Sequence, residues 1–201
     1  MKSYSKKTLI MALLTTTALF TLSACGGGNE QTTSVEIDKD GRITNVIYEP
    51  FDQEYYDITE LSDMAANEIS EYNVEYSNEK ISLEKAELVE DDSFAKLTMN
   101  YTSASDYSHF NQVSLFYGTV EEAMDKGYTI SNALVNADGE NIEGDYIEKH
   151  KEKHIVITSD KSNIKTPYNI EYMSKGVTLK DKKEAVLSAV TMDTVQLLLS
   201  K

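Results

Sequence analysis

The sequence predicts an α+β fold in which a largely antiparallel sheet packs against one main helix, with a second short helix. Apolar side chains in residues 57–72 recur every three to four positions, which is the period of an amphipathic helix. Much of the remaining chain alternates apolar and polar residues in short segments between turn sequences, a pattern typical of antiparallel strands. No Pro-rich or Ser-rich linker interrupts residues 34–201, so we expect a single domain there.

The first predicted element of this domain is a β-hairpin. Val35 and Ile37 alternate with acidic residues, residues 38–41 read Asp-Lys-Asp-Gly, and apolar residues resume at Ile43. An Asp- and Gly-rich turn between two alternating segments is typical of a hairpin.

The same stretch also offers oxygen ligands spaced as in the first half of a calcium loop, since Glu36, Asp38 and Asp40 precede Gly41 at alternate positions. Such a loop needs a bidentate glutamate at its twelfth position, and that position is Ile47. We therefore expect a plain hairpin and keep the calcium loop as the weaker alternative.

The main helix is predicted over residues 57–72. Asp57 and Glu60 are three positions apart and resemble a capping box at its start, while Asn73 is a plausible end. The apolar stripe that we expect to lie on the sheet consists of Ile58, Leu61, Ala65, Ile69 and Tyr72.

The chain beyond the main helix is predicted to consist mostly of strands. Residues 81–89 and 94–101 predict an antiparallel pair with a turn at 90–93. After a strand at 113–117, Thr119 and Glu122 predict the capped start of a short helix that ends at Gly127. Further strands are predicted at 130–135, 155–158, 168–173, 177–179, 185–190 and 195–199, with a turn at 136–139 and a helical turn or polar loop at 144–153.

Two segments of the domain have similar sequences. Residues 72–76 and 168–172 share the pattern Tyr-Asn-Val/Ile-Glu-Tyr, and the similarity continues at 81–83 and 177–179. An internal duplication would explain the similarity. The flanking sequences diverge, so we prefer a single unit and keep duplication as the alternative.

Residues 1–24 have the layout of a secretory signal. Three lysines precede residues 8–22, which contain no charged side chain. This apolar segment is 15 residues long and includes five threonines, whereas a membrane-spanning helix needs about 20 apolar residues. We therefore expect a cleaved signal rather than a permanent span.

The apolar segment ends at Leu22-Ser23-Ala24-Cys25, which has the small residues and the cysteine of a lipobox. On this motif the chain resembles bacterial lipoproteins. The resemblance implies cleavage before Cys25, a thioether-linked diacylglycerol on its thiol with acyl chains such as palmitate, and attachment to the extracytoplasmic face of the cell membrane. Residues 25–33 would then be the lipidated cysteine and a flexible tether. The Lys-, Asn- and Ile-rich composition and Gly26 are similar to lipoproteins of low-GC Gram-positive bacteria.

Charge and cysteine content exclude several classes of function. The chain has a formal charge of −15, and without residues 1–24 it has 16 basic and 34 acidic residues, a charge of −18. Nucleic acid is therefore excluded as a partner. We prefer the interpretation that the acidic surface keeps the domain soluble, and we keep a cationic peptide or a divalent cation as the alternative. Cys25 is the only cysteine, so a disulfide, a cysteine nucleophile and a Cys-ligated zinc site are excluded from the mature domain, and we expect no cofactor.

Two groups of residues resemble catalytic motifs without matching them. His150 and His154 are four apart, but the zincin pattern requires a glutamate directly after the first histidine, where this chain has Lys151. Residues 105–109 contain Ser, Asp and His, yet residues so close in sequence rarely form a triad, and no G-x-S-x-G elbow is present.

The aromatic segment at residues 101–117 is the best candidate for a ligand-binding surface. Tyr107, His109 and Phe110 lie at its centre, between two predicted strands that could present a loop. Core packing of the same rings is the interpretation that we prefer, and it would bury Tyr107 and Phe110, whereas a binding surface would leave both partly exposed.

From the sequence we expect a non-enzymatic binding or interaction role at the cell surface. One alternative is an envelope hydrolase that uses His109 or the pair His150 and His154. A second alternative is a structural or assembly lipoprotein whose partner is another envelope protein.

Overall fold

The structure is a computed structural model that describes residues 31–201, and these residues form eleven strands and four helices. The predicted signal, Cys25 and most of the tether lie outside the described residues. The strands are β1 (Ser34–Ile37), β2 (Ile43–Pro50), β3 (Ile81–Val89), β4 (Phe94–Tyr101), β5 (Leu115–Thr119), β6 (His154–Thr158), β7 (Asn163–Lys165), β8 (Ile170–Met173), β9 (Thr178–Asp181), β10 (Glu184–Val186) and β11 (Val195–Leu199). The helices are α1 (Ile58–Tyr76), α2 (Ala104–Asn111), α3 (Val120–Asp125) and α4 (Tyr146–Lys149).

The strands form two mostly antiparallel sheets, which confirms the predicted α+β class while dividing the expected single sheet in two. The first sheet has the order β3-β4-β2-β1-β7-β10-β9, and β1 with β7 is its one parallel pair. The second sheet has the order β5-β6-β11-β8 and is antiparallel throughout.

The main core lies on one face of the first sheet and is shared by α1 and the second sheet. Alternate residues of β4 are buried, as predicted for residues 94–101, and they belong to the same apolar cluster as Ile69 of α1 and Val156 of β6. A smaller cluster covers the opposite face of the second sheet, where Ile155 and Leu198 meet Val120 of α3. The two clusters make the second sheet the middle layer of this part of the molecule.

The helix α1 is longer than the sequence predicts. Asp57 caps its start by accepting a hydrogen bond from the Thr59 N–H at 2.7 Å, as the capping pattern predicts. The helix continues to Tyr76, so Asn73 does not end it. Asn73 instead accepts hydrogen bonds from the N–H groups of Lys80 and Ile81 and donates to the Ile81 carbonyl, which fixes the helix to the start of β3.

The helix α2 occupies part of the aromatic segment that we expected to be a loop. Ser103 accepts a hydrogen bond from the Asp106 N–H and caps the helix. Its Oγ also donates to the Asp106 carboxylate at 2.5 Å. The Ser-x-x-Asp spacing is a helix-start signal that could have predicted this element.

Several predicted strands are shorter than expected or missing. Residues 130–135 do not form a strand, although Val135 makes isolated bridges to Asn141 and Met173. The strand predicted at 185–190 is only the three-residue β10. The similar segments also differ, because 72–76 are helical whereas 170–172 are in β8, so the structure gives the duplication no support.

The predicted first hairpin is confirmed, and its acidic residues serve the turn. Asp38 Oδ1 accepts hydrogen bonds from the N–H groups of Asp40 and Arg42 at 2.8 and 2.9 Å. Within residues 31–201 no group of three or more His, Cys, Asp or Glu side chains is placed to hold a metal ion. Among the helices of this described part, none is long and apolar enough to cross a membrane.

The first sheet has two ends with different neighbours. At the end that we call the entry end, Thr33 is hydrogen-bonded to Tyr48 just before β1, and Pro50 pairs with Phe94. At the opposite end, which we call the turn end, residues 38–41 connect β1 to β2, and α2 follows β4. The chain therefore enters the domain at one end, while α2 lies at the other.

Candidate functional site

A cleft of 690 Å³ opens at the turn end, between the β1–β2 turn, α2, β5 and α3. Its walls combine aromatic rings with hydroxyl and charged groups. Six of the residues that line it are central to its chemistry: Lys39, Ser105, Tyr117, Lys126, Tyr128 and His154.

The position of Tyr117 depends on a glycine in the turn. Gly41 has a φ of +80°, which a side chain would strain, and a Cβ at this position would lie 3.4 Å from the Tyr117 ring. The turn therefore needs Gly41 for its backbone conformation, and the ring lies directly against it. This contact joins β5 of the second sheet to the hairpin of the first.

The Tyr117 hydroxyl is buried and has no hydrogen-bond partner among the described residues. Buried hydroxyls in proteins are normally paired, so this group is unusual. Burial raises the pKa of Tyr117 to about 12, with smaller contributions from Tyr168 and the nearby aspartates. The hydroxyl is consequently neutral at physiological pH and can donate a hydrogen bond.

His154 forms the next part of the wall and stacks on Tyr117, with ring centroids 5.2 Å apart. Its Nδ1 lies 2.8 Å from the Lys201 carbonyl oxygen, so this nitrogen carries the hydrogen and donates it. The other ring nitrogen, Nε2, has no hydrogen-bond partner among the described residues. The bond to Lys201 holds the ring in place beside the cleft.

The charged side chains of the cleft differ in how they are paired. Asp40 lies 3.4 Å from Arg42, and the Glu122 carboxylate accepts the Thr119 N–H at 2.8 Å as part of the predicted capping box of α3. Lys39 and Lys126 form no ion pair within residues 31–201, and the Lys126 ammonium lies 5.1 Å from the centroid of the Phe116 ring. The acids are thus already engaged, while the two ammonium groups are available.

None of the three predicted binding residues lines this cleft. Tyr107 is only 3% exposed and its hydroxyl donates to Asp160, so the exposure expected of a binding surface is wrong for this ring. Its pKa is raised by burial first and by the neighbouring Asp160 charge second. Tyr107 is therefore a core residue of α2.

His109 and Phe110 contact α1 on a different side of α2. The His109 Nδ1 lies 2.8 Å from the Tyr76 hydroxyl, and Tyr72 packs edge-on against both His109 and Phe110 at centroid distances of 5.9 and 5.7 Å. His109 is exposed and Phe110 is half-buried. These contacts hold α2 against the end of α1.

The residues that resemble a hydrolase triad are engaged elsewhere. The buried Asp106 carboxylate accepts hydrogen bonds from Ser103, Thr102 and Tyr72, and it has no contact with His109. The Ser108 hydroxyl donates to the Leu115 carbonyl and accepts from its N–H. These side chains stabilise the start and the end of α2 rather than activate a nucleophile.

The two histidines of the zinc-like pair do not share a helix face. α4 ends at Lys149, the His150 Nδ1 lies 2.8 Å from the Tyr146 carbonyl, and His154 begins β6, one residue before the predicted start of this strand. Of this pair, only His154 lines the cleft.

No protein-family model matches this sequence, and no curated protein or solved structure matches it either. Function is therefore inferred from the geometry of the cleft and from the position at which the chain enters the domain. The aromatic segment 101–117, which includes Tyr117, forms one wall of the cleft. The sequence indicates His154 only as half of the zinc-like pair, and it does not indicate Lys39 or Lys126. These residues are far apart in sequence and become neighbours only in the fold.

Proposed function

We propose that this protein is a lipid-anchored lipoprotein of the cell surface that binds a ligand, without chemical turnover, in the cleft at the turn end. The anchor in this proposal is a diacylglycerol on Cys25, and the domain is held on the extracytoplasmic face of the membrane.

The main support for the proposal is that the chain enters the domain at one end of the first sheet while the cleft lies at the other end. Thr33, eight residues after Cys25, is hydrogen-bonded to Tyr48 at the entry end. A Gly-rich tether of about eight residues has a mean reach on the order of 15 Å, so an anchor on Cys25 keeps the entry end close to the membrane. The cleft at the turn end then faces away from the membrane and is open to ligands.

The chemistry of the cleft supports binding over hydrolysis. The ring of His154 and the ammonium groups of Lys39 and Lys126 line it, and each can form a hydrogen bond with a polar ligand. A hydrolase would need a nucleophile and a base within about 3 Å of each other. Of the two serines in the Ser/Asp/His segment, Ser108 is hydrogen-bonded to the Leu115 backbone, and Ser105 makes no hydrogen bond within residues 31–201.

The anchor is tested by replacing the only cysteine. Cys25→Ala removes the only thiol that could accept a diacylglycerol, so we expect an unprocessed chain without acyl label. Metabolic labelling with a fatty acid and partitioning into detergent measure this result in a bacterial host that processes lipoproteins.

A tether variant, Gly27→Ala, is the matched control and should be labelled and partitioned like the wild-type chain. Equal labelling of the wild type and of Cys25→Ala would contradict lipidation at this residue, and with it the proposed surface role.

A further inference from the structure

The geometry points to a small anionic ligand for the cleft: a carboxylate or a phosphate group joined to a flat, ring-containing body. This inference rests on the proposed function, because it assigns the ligand class of the same cleft.

Two ammonium groups of the cleft have no carboxylate partner. Lys39 and Lys126 line the cleft, and neither forms an ion pair within residues 31–201. The lining also contains the carboxylates of Asp40 and Glu122, so the binding of an anion depends on direct contact with the ammonium groups and not on the net charge of the lining. Charge-assisted hydrogen bonds of this kind are the strong ones.

An exposed neutral donor also lines the cleft. The Ser105 hydroxyl, on the exposed side of α2, makes no hydrogen bond within residues 31–201. It can donate to a carboxylate or a phosphate group, both of which are rich in acceptors. The Tyr117 hydroxyl also lacks a partner among the described residues, but it is buried and adds no exposed donor to the cleft.

The aromatic part of the wall offers a contact for a flat ligand. Tyr128 is 37% exposed, and its ring centroid lies 5.1 Å from that of the buried Phe116. Phe116 thus supports the Tyr128 ring, and the exposed part of this ring can contact a ligand. A flat apolar body beside the anionic group would cover this ring and gain stacking in addition to the charge contacts.

The charge of the whole chain requires this recognition to be local. The chain carries a formal charge of −15, which repels anions at long range. At physiological ionic strength the screening length is about 8 Å. Acids farther away than this are largely screened, so the affinity of an anion that has entered the cleft depends on the lining residues, with Lys39 and Lys126 attracting it and Asp40 and Glu122 repelling it.

The absence of tryptophan from the chain provides a specific test. Tyr128→Trp places a single fluorophore in the cleft wall of the full-length chain, kept in non-ionic detergent. Phenyl phosphate and benzoate are titrated as phosphate and carboxylate probes, and phenyl glucoside is the neutral probe with the same ring. We expect a saturable change in emission with one or both anions and none with the glucoside.

The lysines are then replaced in the same background. Lys39→Gln with Lys126→Gln should weaken anion binding at least tenfold, because a single charge-assisted hydrogen bond contributes on the order of tenfold in affinity. Lys175→Gln with Lys182→Gln removes the same charge from exposed positions that do not line the cleft, and this control should bind like the parent.

The outcomes separate this inference from the proposed function. The tighter anionic probe identifies the preferred group. Binding of the glucoside with equal strength, or anion binding that does not depend on the two lysines, would overturn the anionic ligand class while leaving a binding cleft. The absence of a saturable response to both anions would also overturn it. Acyl labelling of Cys25 is measured separately and decides the anchor.

Discussion

Glu49 shows, at the scale of a single residue, how burial alone changes an ionisable group. It follows Ile43, Asn45 and Ile47 at the two-residue period of β2, so its side chain is on the core side of the sheet, opposite Ala95. Burial raises the pKa of Glu49 from 4.5 to about 7, and no ion pair within residues 31–201 compensates its charge.

This raised pKa makes stability depend on pH. The folded state holds the Glu49 proton more tightly than the unfolded chain, so the free energy of unfolding should fall as pH rises from about 4.5 to 7 and stay low above that range. Glu49→Gln should remove this fall. Because the side chain is partly exposed, we expect a gain of about 1 to 3 kcal/mol over the wild type at pH 8 and little difference at pH 4.

Urea denaturation of both proteins between pH 4 and pH 8 measures the effect. Glu36→Gln, at an exposed position of β1, is the charge-matched control and should leave the pH profile unchanged. A profile of Glu49→Gln that is parallel to the wild-type profile would show that burial does not penalise this carboxylate.

The helix α1 is the element whose docking is easiest to test. The predicted stripe packs on the sheet, but only Ile69 is fully buried, while Leu61 and Ala65 are half-buried. Ile69→Ala should therefore cost about 2 to 5 kcal/mol of unfolding free energy, because it removes buried methyl groups and leaves a cavity. Leu61→Ala should cost less.

The exposed face of α1 provides the control. Asn67→Ala and Glu60→Ala lie on this face and should change stability by no more than about 0.5 kcal/mol. Denaturant midpoints that ranked Asn67→Ala as more damaging than Ile69→Ala would mean that the helix packs through another face.

At the scale of the whole molecule, stability should come from apolar burial alone. Two apolar clusters cover both faces of the second sheet, and the chain has one cysteine. A domain of this size buries enough surface to fold without a disulfide or a metal ion. We expect the melting temperature of the full-length chain, followed by circular dichroism, to be unchanged by a chelator and by a reductant.

Cys25→Ala is the matched variant for the reductant experiment and should melt at the same temperature as the wild type. A decrease of many degrees with the chelator would reveal a metal ion that contributes to folding, contrary to this expectation.

Patterns within short segments account for what the sequence predicts well. The capped start of α1 at Asp57, the Thr119–Glu122 box of α3 and the alternation along β4 all depend on neighbours within a few residues. The spacing of Ser103 and Asp106 also predicts the start of α2. The many aromatic residues of this segment nevertheless favour a loop in the sequence analysis, and that expectation is wrong. The lipobox at Cys25 is likewise a local pattern, and lipidation there stays a prediction.

The sequence by itself determined the α+β class and the strongly negative charge of the chain, because both follow from residue type and local period. Only the tertiary structure decided that the strands form two sheets, that Tyr107 is in the core, and that Lys39, Tyr117 and His154 border one cleft. The reason is physical: which strands pair and which faces pack depend on contacts between residues distant in sequence, and no local pattern records them.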